Sequence, residues 1–199
     1  MLDKYRQNVD FILEPLATRA GMGANTMSYL SFLFALAAGA AAYFSYQQVW
    51  LLPLTALFVI LNGLFDALDG KIARMRGETG AKGDFIDHVI DRFSDVLMLG
   101  GIIASPWIDK RIGIPALAAV LLTSYLGTQA QAVSGRRLYA GVLGRADRLV
   151  LLFFALIIQF FIPDVIFGLY VLEWLMVYFA VAGTITIIQR YYAVMKWFK

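Results

Sequence analysis

The stretch DALDGKIARMRGETGAKGDFIDHVIDRFSD, residues 66–95, decides how this chain is read. It contains Asp66, Asp69, Asp84, Asp87, Asp91 and Asp95, six of the chain's fourteen acidic residues. It also joins two long apolar segments. A carboxylate inside a bilayer costs about 2.5–3.5 kcal/mol on insertion scales, and several at one depth repel one another. Such a group persists when cations neutralise it, so bound metal is the natural inference. At about 100° per residue, Asp66, Asp69, Gly70, Ala73 and Arg74 share one face of a predicted helix. Asp84, Asp87, Asp91 and Asp95 stand three, four and four apart, which makes one stripe on the next helix. The linker 75–82 is short, so the two helices are expected to be antiparallel neighbours whose acidic faces meet. Every candidate ligand is an oxygen, which suits Mg²⁺ or Mn²⁺ and disfavours zinc.

Outward from this stretch, the composition is that of a membrane protein. The 199 residues are 60% hydrophobic and 16% charged, with mean hydropathy +0.70. A soluble domain is nearer half apolar and a quarter charged. Six apolar segments are predicted, at about 25–46, 49–74, 83–104, 113–134, 145–162 and 166–195. Each is near the roughly 20 residues a spanning helix needs. In front of them, apolar residues Leu2, Tyr5, Val9, Ile12, Leu13 and Leu16 recur at helical spacing among charges, as in an amphipathic helix on a membrane surface. The expected fold is therefore an all-α integral membrane protein: one domain over 1–199, with a surface helix at 1–20 and a six-helix bundle at 25–195.

The net charge of +3 follows the loops rather than pointing to nucleic acid. Six spans put both termini on one side. That side holds Lys4, Arg6, Arg19, Lys71, Arg74, Arg76, Lys82, Arg136, Arg137, Arg145, Arg148, Arg190, Lys196 and Lys199, against only Lys110 and Arg111 opposite. The positive-inside rule places the termini and the acidic cluster in the cytoplasm, with the protein in the cell membrane. Trp50, Trp107, Trp174 and Trp197 fall near segment ends, where interfacial anchors are expected. The chain has no cysteine and one histidine, His88, which excludes disulfides and His-cluster zinc sites. His88 reads as a packing or interfacial residue, and the many Phe and Tyr residues as lipid-facing or packing. Ala37, Ala38, Gly39, Ala40, Ala41, Ala42, Gly100 and Gly101 suit close helix contacts, within one copy or between two. A homodimer is expected.

Several residues point to phosphate. Gly70 and Gly83 remove side chains beside the carboxylates, so a ligand can approach the backbone. Arg74 adds a bidentate phosphate donor one turn from Gly70. Farther on, Arg136, Arg137, Arg145 and Arg148 are interspersed with glycines, and Gln189-Arg190 brings another cation to the same level. Arg145 and Arg148 share a helix start, where free amides also favour anions. Arg136, Arg145, Arg148 and Arg190 are candidates for a second phosphate site.

The pattern Asp66-x2-Asp69-Gly70-x2-Ala73-Arg74-x8-Gly83-x3-Asp87-x3-Asp91 resembles the signature of the CDP-alcohol phosphotransferase family, at all eight fixed positions over 26 residues. The six-span layout behind a surface helix resembles that family too. The resemblance implies transfer of a phosphatidyl-type group from a CDP-lipid donor to an alcohol, with release of CMP. It implies two divalent cations held by Asp66, Asp69, Asp87 and Asp91, with Asp91 as general base. Gly70, Ala73, Arg74 and Gly83 would line the CDP-lipid site. Asn25-Thr26 resembles a family element near the nucleotide, with Ala24 in place of its usual proline. Arg145-x2-Arg148-Leu149 and Gln189-Arg190 resemble the branch of phosphatidylinositol-phosphate and archaetidylinositol-phosphate synthases, which implies inositol phosphate as acceptor. Where that branch has basic residues after Ser-Tyr, Gly127 and Gln129 follow Ser124-Tyr125 here. Glycerol phosphate, serine and inositol stand as alternative acceptors. An intramembrane prenyltransferase and a divalent-cation transporter are the alternative functions. Against the first, Ala73 stands where a third acid is expected. Against the second, no acids continue through the membrane.

Overall fold

The computed structural model describes residues 6–19, 21–135, 138 and 140–198. Arg136, Arg137, Leu2 and Tyr5 lie outside the described residues. The described chain is helical, with α1 Arg6–Arg19, α2 Ala24–Phe44, α3 Leu51–Arg76, α4 Ala81–Ala104, α5 Lys110–Ser134, α6 Arg145–Phe161 and α7 Val171–Met195. A final 3₁₀ turn covers Lys196–Phe198. Each predicted apolar segment is one of these helices, α2 to α7. Local chemistry sets several ends. Gly77 closes α3 in the left-handed region at φ 67°, where a side chain would be strained. Asp109 caps α5 by accepting from the Arg111 amide at 2.8 Å. Pro163 follows the end of α6.

The six long helices form a ring. α2 packs on α3 and α4, α4 on α5, α5 on α7, α7 on α6, and α6 back on α3. The short link between α3 and α4 does not make them close-packed neighbours as the sequence suggested. α2 packs against both, and only their side chains meet. This separation creates room between the two acidic helices. α1 packs on α3 through Leu13 and Ala17, which bury against Met27, Leu68 and Ile72. Lys71 pairs with Glu14 at 3.2 Å across that contact.

One end of the ring is closed and apolar. Ala56, Val59, Leu99, Ile102, Val120, Leu156, Met176 and Phe179 belong to one buried cluster there. Gly39 and Gly101 sit backbone to backbone, since a Cβ on Gly101 would collide with the Gly39 carbonyl. These small residues thus serve within one copy of the chain. Trp107 is not an exposed anchor: it is buried and donates from Nε1 to Ser45 Oγ at 2.9 Å. Trp50 and Trp174 are exposed as expected.

Four helices, α2, α3, α5 and the last, are long and apolar enough to cross a membrane. α4 is too charged and α6 too short to join them by length and composition. In each, polar residues are nonetheless buried while large apolar ones face outward. α4 buries Asp91, Ser94 and Asp95 and exposes Phe85, Val89, Phe93 and Val96. α6 buries Arg148 and Gln159 and exposes Phe154, Ile158 and Phe161.

Candidate active site

The other end of the ring gathers the polar residues, and all six helices contribute. On α3, Asp66 and Asp69 stand one turn apart; on α4, Asp87 and Asp91 do the same. Carboxylate oxygens of Asp66, Asp69 and Asp87 lie within 4.8 Å of one another. Oxygen ligands across one Mg²⁺ are about 4.2 Å apart, so these three side chains fit a hard divalent cation with small adjustments. Asp87, His88 and Asp91 form a second such group. His88 therefore stands at the site and not in distant packing, with Nε2 3.7 Å from Asp84 Oδ2. From α2, Ser28 donates to Asp69 Oδ2 at 2.6 Å, which holds that carboxylate in place. Below it, Asn62 donates from Nδ2 to the Ser31 carbonyl at 3.0 Å and to Ser31 Oγ at 2.8 Å. That pair ties α2 to α3 beneath the carboxylates.

Asp84 and Asp95 lie on the predicted stripe but outside the two groups that could hold a metal. Asp84 accepts from Gln131 Nε2 of α5 at 2.9 Å. Asp95 accepts from Arg148 Nη2 at 2.8 Å. Arg92 bridges from Asp91 Oδ2, at 3.2 Å, to Asp95 Oδ2, at 3.9 Å.

Arg145 on α6 reaches into the centre, with Nη1 2.6 Å from both Asp66 Oδ2 and Asp91 Oδ1. A cation thus already bridges the acids of α3 and α4. Arg148, one turn on, is 5% exposed and also approaches Ser124 Oγ at 3.4 Å. Arg190 on α7 donates to the Ala140 carbonyl at 2.9 Å and to the Thr123 carbonyl. Its guanidinium lies against Gly127, where a Cβ would come within 2.9 Å of Nη1. These residues line one cleft of about 180 Å³, with Asp91, Arg92, His88, Ser124 and Thr128 in its wall. Arg145, Arg148 and Arg190 come together in this cleft, and each also has a partner within the protein. Three buried donors, Arg145 Nε and Nη2 and Arg148 Nε, have no hydrogen-bond partner among the described residues. Leaving charged donors buried and unpaired is costly, and an anion in the cleft would satisfy them.

The donor-side candidates lie at the same end. Gly83 opens onto free space, with nothing within 4 Å of a Cβ. Arg74 is exposed near the end of α3, and Asn25 is exposed in the first turn of α2. Gly23, beside that turn, lies 3.9 Å from Arg76 Nη1 as measured from a Cβ, so the start of α2 and the end of α3 adjoin. Gly70 and Ala73 are half-buried on the same face of α3.

Comparison with known proteins agrees with this geometry. The description of CDP-alcohol phosphatidyltransferases matches residues 22–188. The chain is 29% identical to an archaetidylinositol phosphate synthase of Methanothermobacter thermautotrophicus, over 96% of this chain and 92% of the relative. It is equally similar, at 29%, to one of Pyrococcus horikoshii, over 98% and 97%. Among solved structures, Mycobacterium tuberculosis phosphatidylinositol phosphate synthase with manganese and citrate aligns with TM-score 0.75 and 27% identity, over 92% of this chain and 88% of that one. The same enzyme with CDP-DAG bound aligns with TM-score 0.73 and 27% identity, over 92% and 93%. The match decides against the prenyltransferase and transporter readings. With its apolar helices and site, the chain is a multi-pass membrane protein that belongs to the CDP-alcohol phosphatidyltransferase family.

Proposed function

We propose that this chain makes a phospholipid by transferring a phosphatidyl-type group from a CDP-lipid, CDP-diacylglycerol or CDP-archaeol, to inositol phosphate. The acceptor hydroxyl oxygen attacks the lipid-bearing phosphorus, the bond from that phosphorus to the CMP oxygen breaks, and CMP leaves. The observation that carries the acceptor is the set of unpaired guanidinium donors on Arg145 and Arg148, buried beside the acidic cluster. Relatives named for inositol-phosphate products support it.

Asp66, Asp69, Asp87 and Asp91 would hold two divalent cations, Mg²⁺ or Mn²⁺. Cations held there would supply positive charge against the diphosphate and the leaving phosphate. Asp91 lines the acceptor cleft and belongs to a group that could hold a metal, which supports its carboxylate as the base that takes the hydroxyl proton as attack proceeds. Gly70, Ala73, Gly83 and Asn25 leave room for the CDP moiety, and Arg74 offers its diphosphate a bidentate fork. Arg148 and Arg190, with Arg145 and Arg136, receive the acceptor phosphate.

The membrane arrangement belongs to the same proposal. α4 and α6 join α2, α3, α5 and α7 as spans, because they expose large apolar side chains and turn Asp91, Asp95, Arg148 and Gln159 inward. At about 1.5 Å per residue, the 17 residues of α6 extend about 26 Å, close to a hydrocarbon core of about 30 Å. The Lys and Arg bias puts the site and both termini in the cytoplasm, with the protein in the cell membrane. α1 then rides on the cytoplasmic end of α3 at the membrane surface. Gly100, with open space about its Cα, leaves a small-residue position for a second copy in a homodimer.

Steady-state kinetics of Arg148→Ala and Arg190→Ala test the acceptor assignment. A hydrogen bond to a charged group contributes about 1.5–3 kcal/mol. Each loss should raise the inositol-phosphate KM roughly ten- to a hundredfold, with the CDP-lipid KM little changed. Unchanged acceptor saturation in both variants, with folded enzyme, would place the phosphate elsewhere.

A further inference from the structure

Asp95 has no part in the mechanism described so far. It lies one turn beyond Asp91 on α4, is 3% exposed, and stands apart from the carboxylates grouped for metal. A buried carboxylate is tolerated when paired and is strongly destabilising when it is not. Its pairing here is specific. Arg148 Nη2 is 2.8 Å from Asp95 Oδ2, and Ser124 Oγ lies 3.4 Å from the same nitrogen. Two contacts from two other helices therefore fix one edge of the Arg148 guanidinium. The group is planar and rigid, so fixing one edge fixes the direction of the rest. The remaining Nε is buried without a partner among the described residues, in a side chain that lines the acceptor cleft.

We propose that Asp95 is a positioning residue for the acceptor: it holds Arg148 so that its unpaired Nε edge meets the acceptor's phosphate in the cleft. The proposal rests on the acceptor reading above. It also explains why a costly buried carboxylate sits off the metal cluster. Without Asp95, the Arg148 side chain would keep its charge and lose its aim. Arg92 strengthens the arrangement, since it joins the same carboxylate to Asp91. The base for the acceptor hydroxyl and the anchor for the acceptor phosphate are thereby held by one network on α4.

A double-mutant cycle on the full-length enzyme in liposomes, with Mn²⁺, CDP-diacylglycerol and inositol phosphate, separates this role from plain stabilisation. The variants are Asp95→Asn, Arg148→Ala and the double substitution, each with KM for both substrates, kcat and Tm. Asp95→Asn should raise the acceptor KM about tenfold, with the donor KM within about twofold. In an Arg148→Ala background the same substitution should change the acceptor KM less than about twofold, because the group it aims is gone. Independent effects that multiply in the double variant would overturn the proposal. An unchanged acceptor KM in Asp95→Asn would do so too. If Arg148→Ala itself leaves the acceptor KM unchanged, the acceptor reading fails first and this proposal with it. Asp95→Glu covers the case in which Asp95→Asn does not fold. It retains the charge but displaces the fork by one methylene, so Tm should hold while the acceptor KM rises. Wild-type acceptor saturation in Asp95→Glu would show that Arg148 needs no aiming.

Discussion

The two ends of the helix ring are built on opposite rules. At the far end, backbones touch: Gly39 meets Gly101 and Leu97. Three loops are stapled together there. Trp107 bonds Ser45 and stacks edge-on against Tyr46 and Tyr170 at 4.9 and 5.0 Å. Glu173 accepts from the Asp109 amide at 2.9 Å. At the near end, α3 and α4 stand apart and charged side chains fill the gap. Dispersion and close packing hold the first end, and paired charge the second. A closed end lets the other stay open: tight contacts at Gly39 and Gly101 fix the angle of α2 and α4, and so the width of the acid-lined cleft.

This contrast says that substitutions at the two ends should fail in different ways. The largest effect is expected at the open end. Asp66→Asn or Asp87→Asn should cut turnover by about a hundred- to a thousandfold or more. Insertion should be preserved, since Asn lowers the charge placed in the membrane, and Tm should hold in Asp87→Asn, whereas Asp66→Asn also takes one partner from Arg145 and should lower Tm slightly. Exhaustive chelation should do the same to the unaltered enzyme, and Mn²⁺ should restore it. A chelated enzyme at full rate would break the comparison.

The closed end should fail by unfolding. Gly101→Val places a branched side chain into the Gly39 carbonyl, and overpacking of this kind costs about 1–3 kcal/mol or more. Tm in detergent should fall, and activity should be lost in step with folded protein and not ahead of it. A smaller, more selective effect is expected at the donor side. Arg74→Lys keeps charge but loses the fork, so the CDP-lipid KM should rise about tenfold while the acceptor KM moves less. The smallest is Trp107→Phe, which removes one hydrogen bond worth about 1 kcal/mol. Tm should fall slightly, with both KM values unchanged.

The helices were legible from the sequence because each segment is mostly apolar and is bounded by charged, Gly or Pro residues. The acidic cluster was legible because carboxylates are rare at that depth and fall at helical spacing. What the sequence could not show was three-dimensional partnership. The short 75–82 linker suggested that α3 packs on α4, yet packing is decided by small residues on α2, and α2 separates them. Asp84, Asp87, Asp91 and Asp95 look equivalent as a stripe. Only the neighbours, Gln131 for Asp84 and Arg148 for Asp95, divide them into different tasks. Ser28 escaped notice, and Ser124 served only as a marker before Gly127, because a serine in an apolar helix carries little signal until its partner is known. From the sequence His88 reads as a packing or interfacial residue. It stands in the cleft because α5 faces that side of α4. Trp107 shows the same limit: its place near a segment end is shared by anchors and by buried staples.

The most direct measurement is CMP release by the purified enzyme with Mn²⁺ and one CDP-lipid, supplied in turn with inositol phosphate, glycerol phosphate, serine and inositol. Rapid, chelator-sensitive release with inositol phosphate, and at most slow release with the other three, is the expected result. Faster turnover with inositol or serine would contradict the assignment of Arg145, Arg148 and Arg190 to an acceptor phosphate. No CMP with any acceptor would contradict the transfer reaction itself.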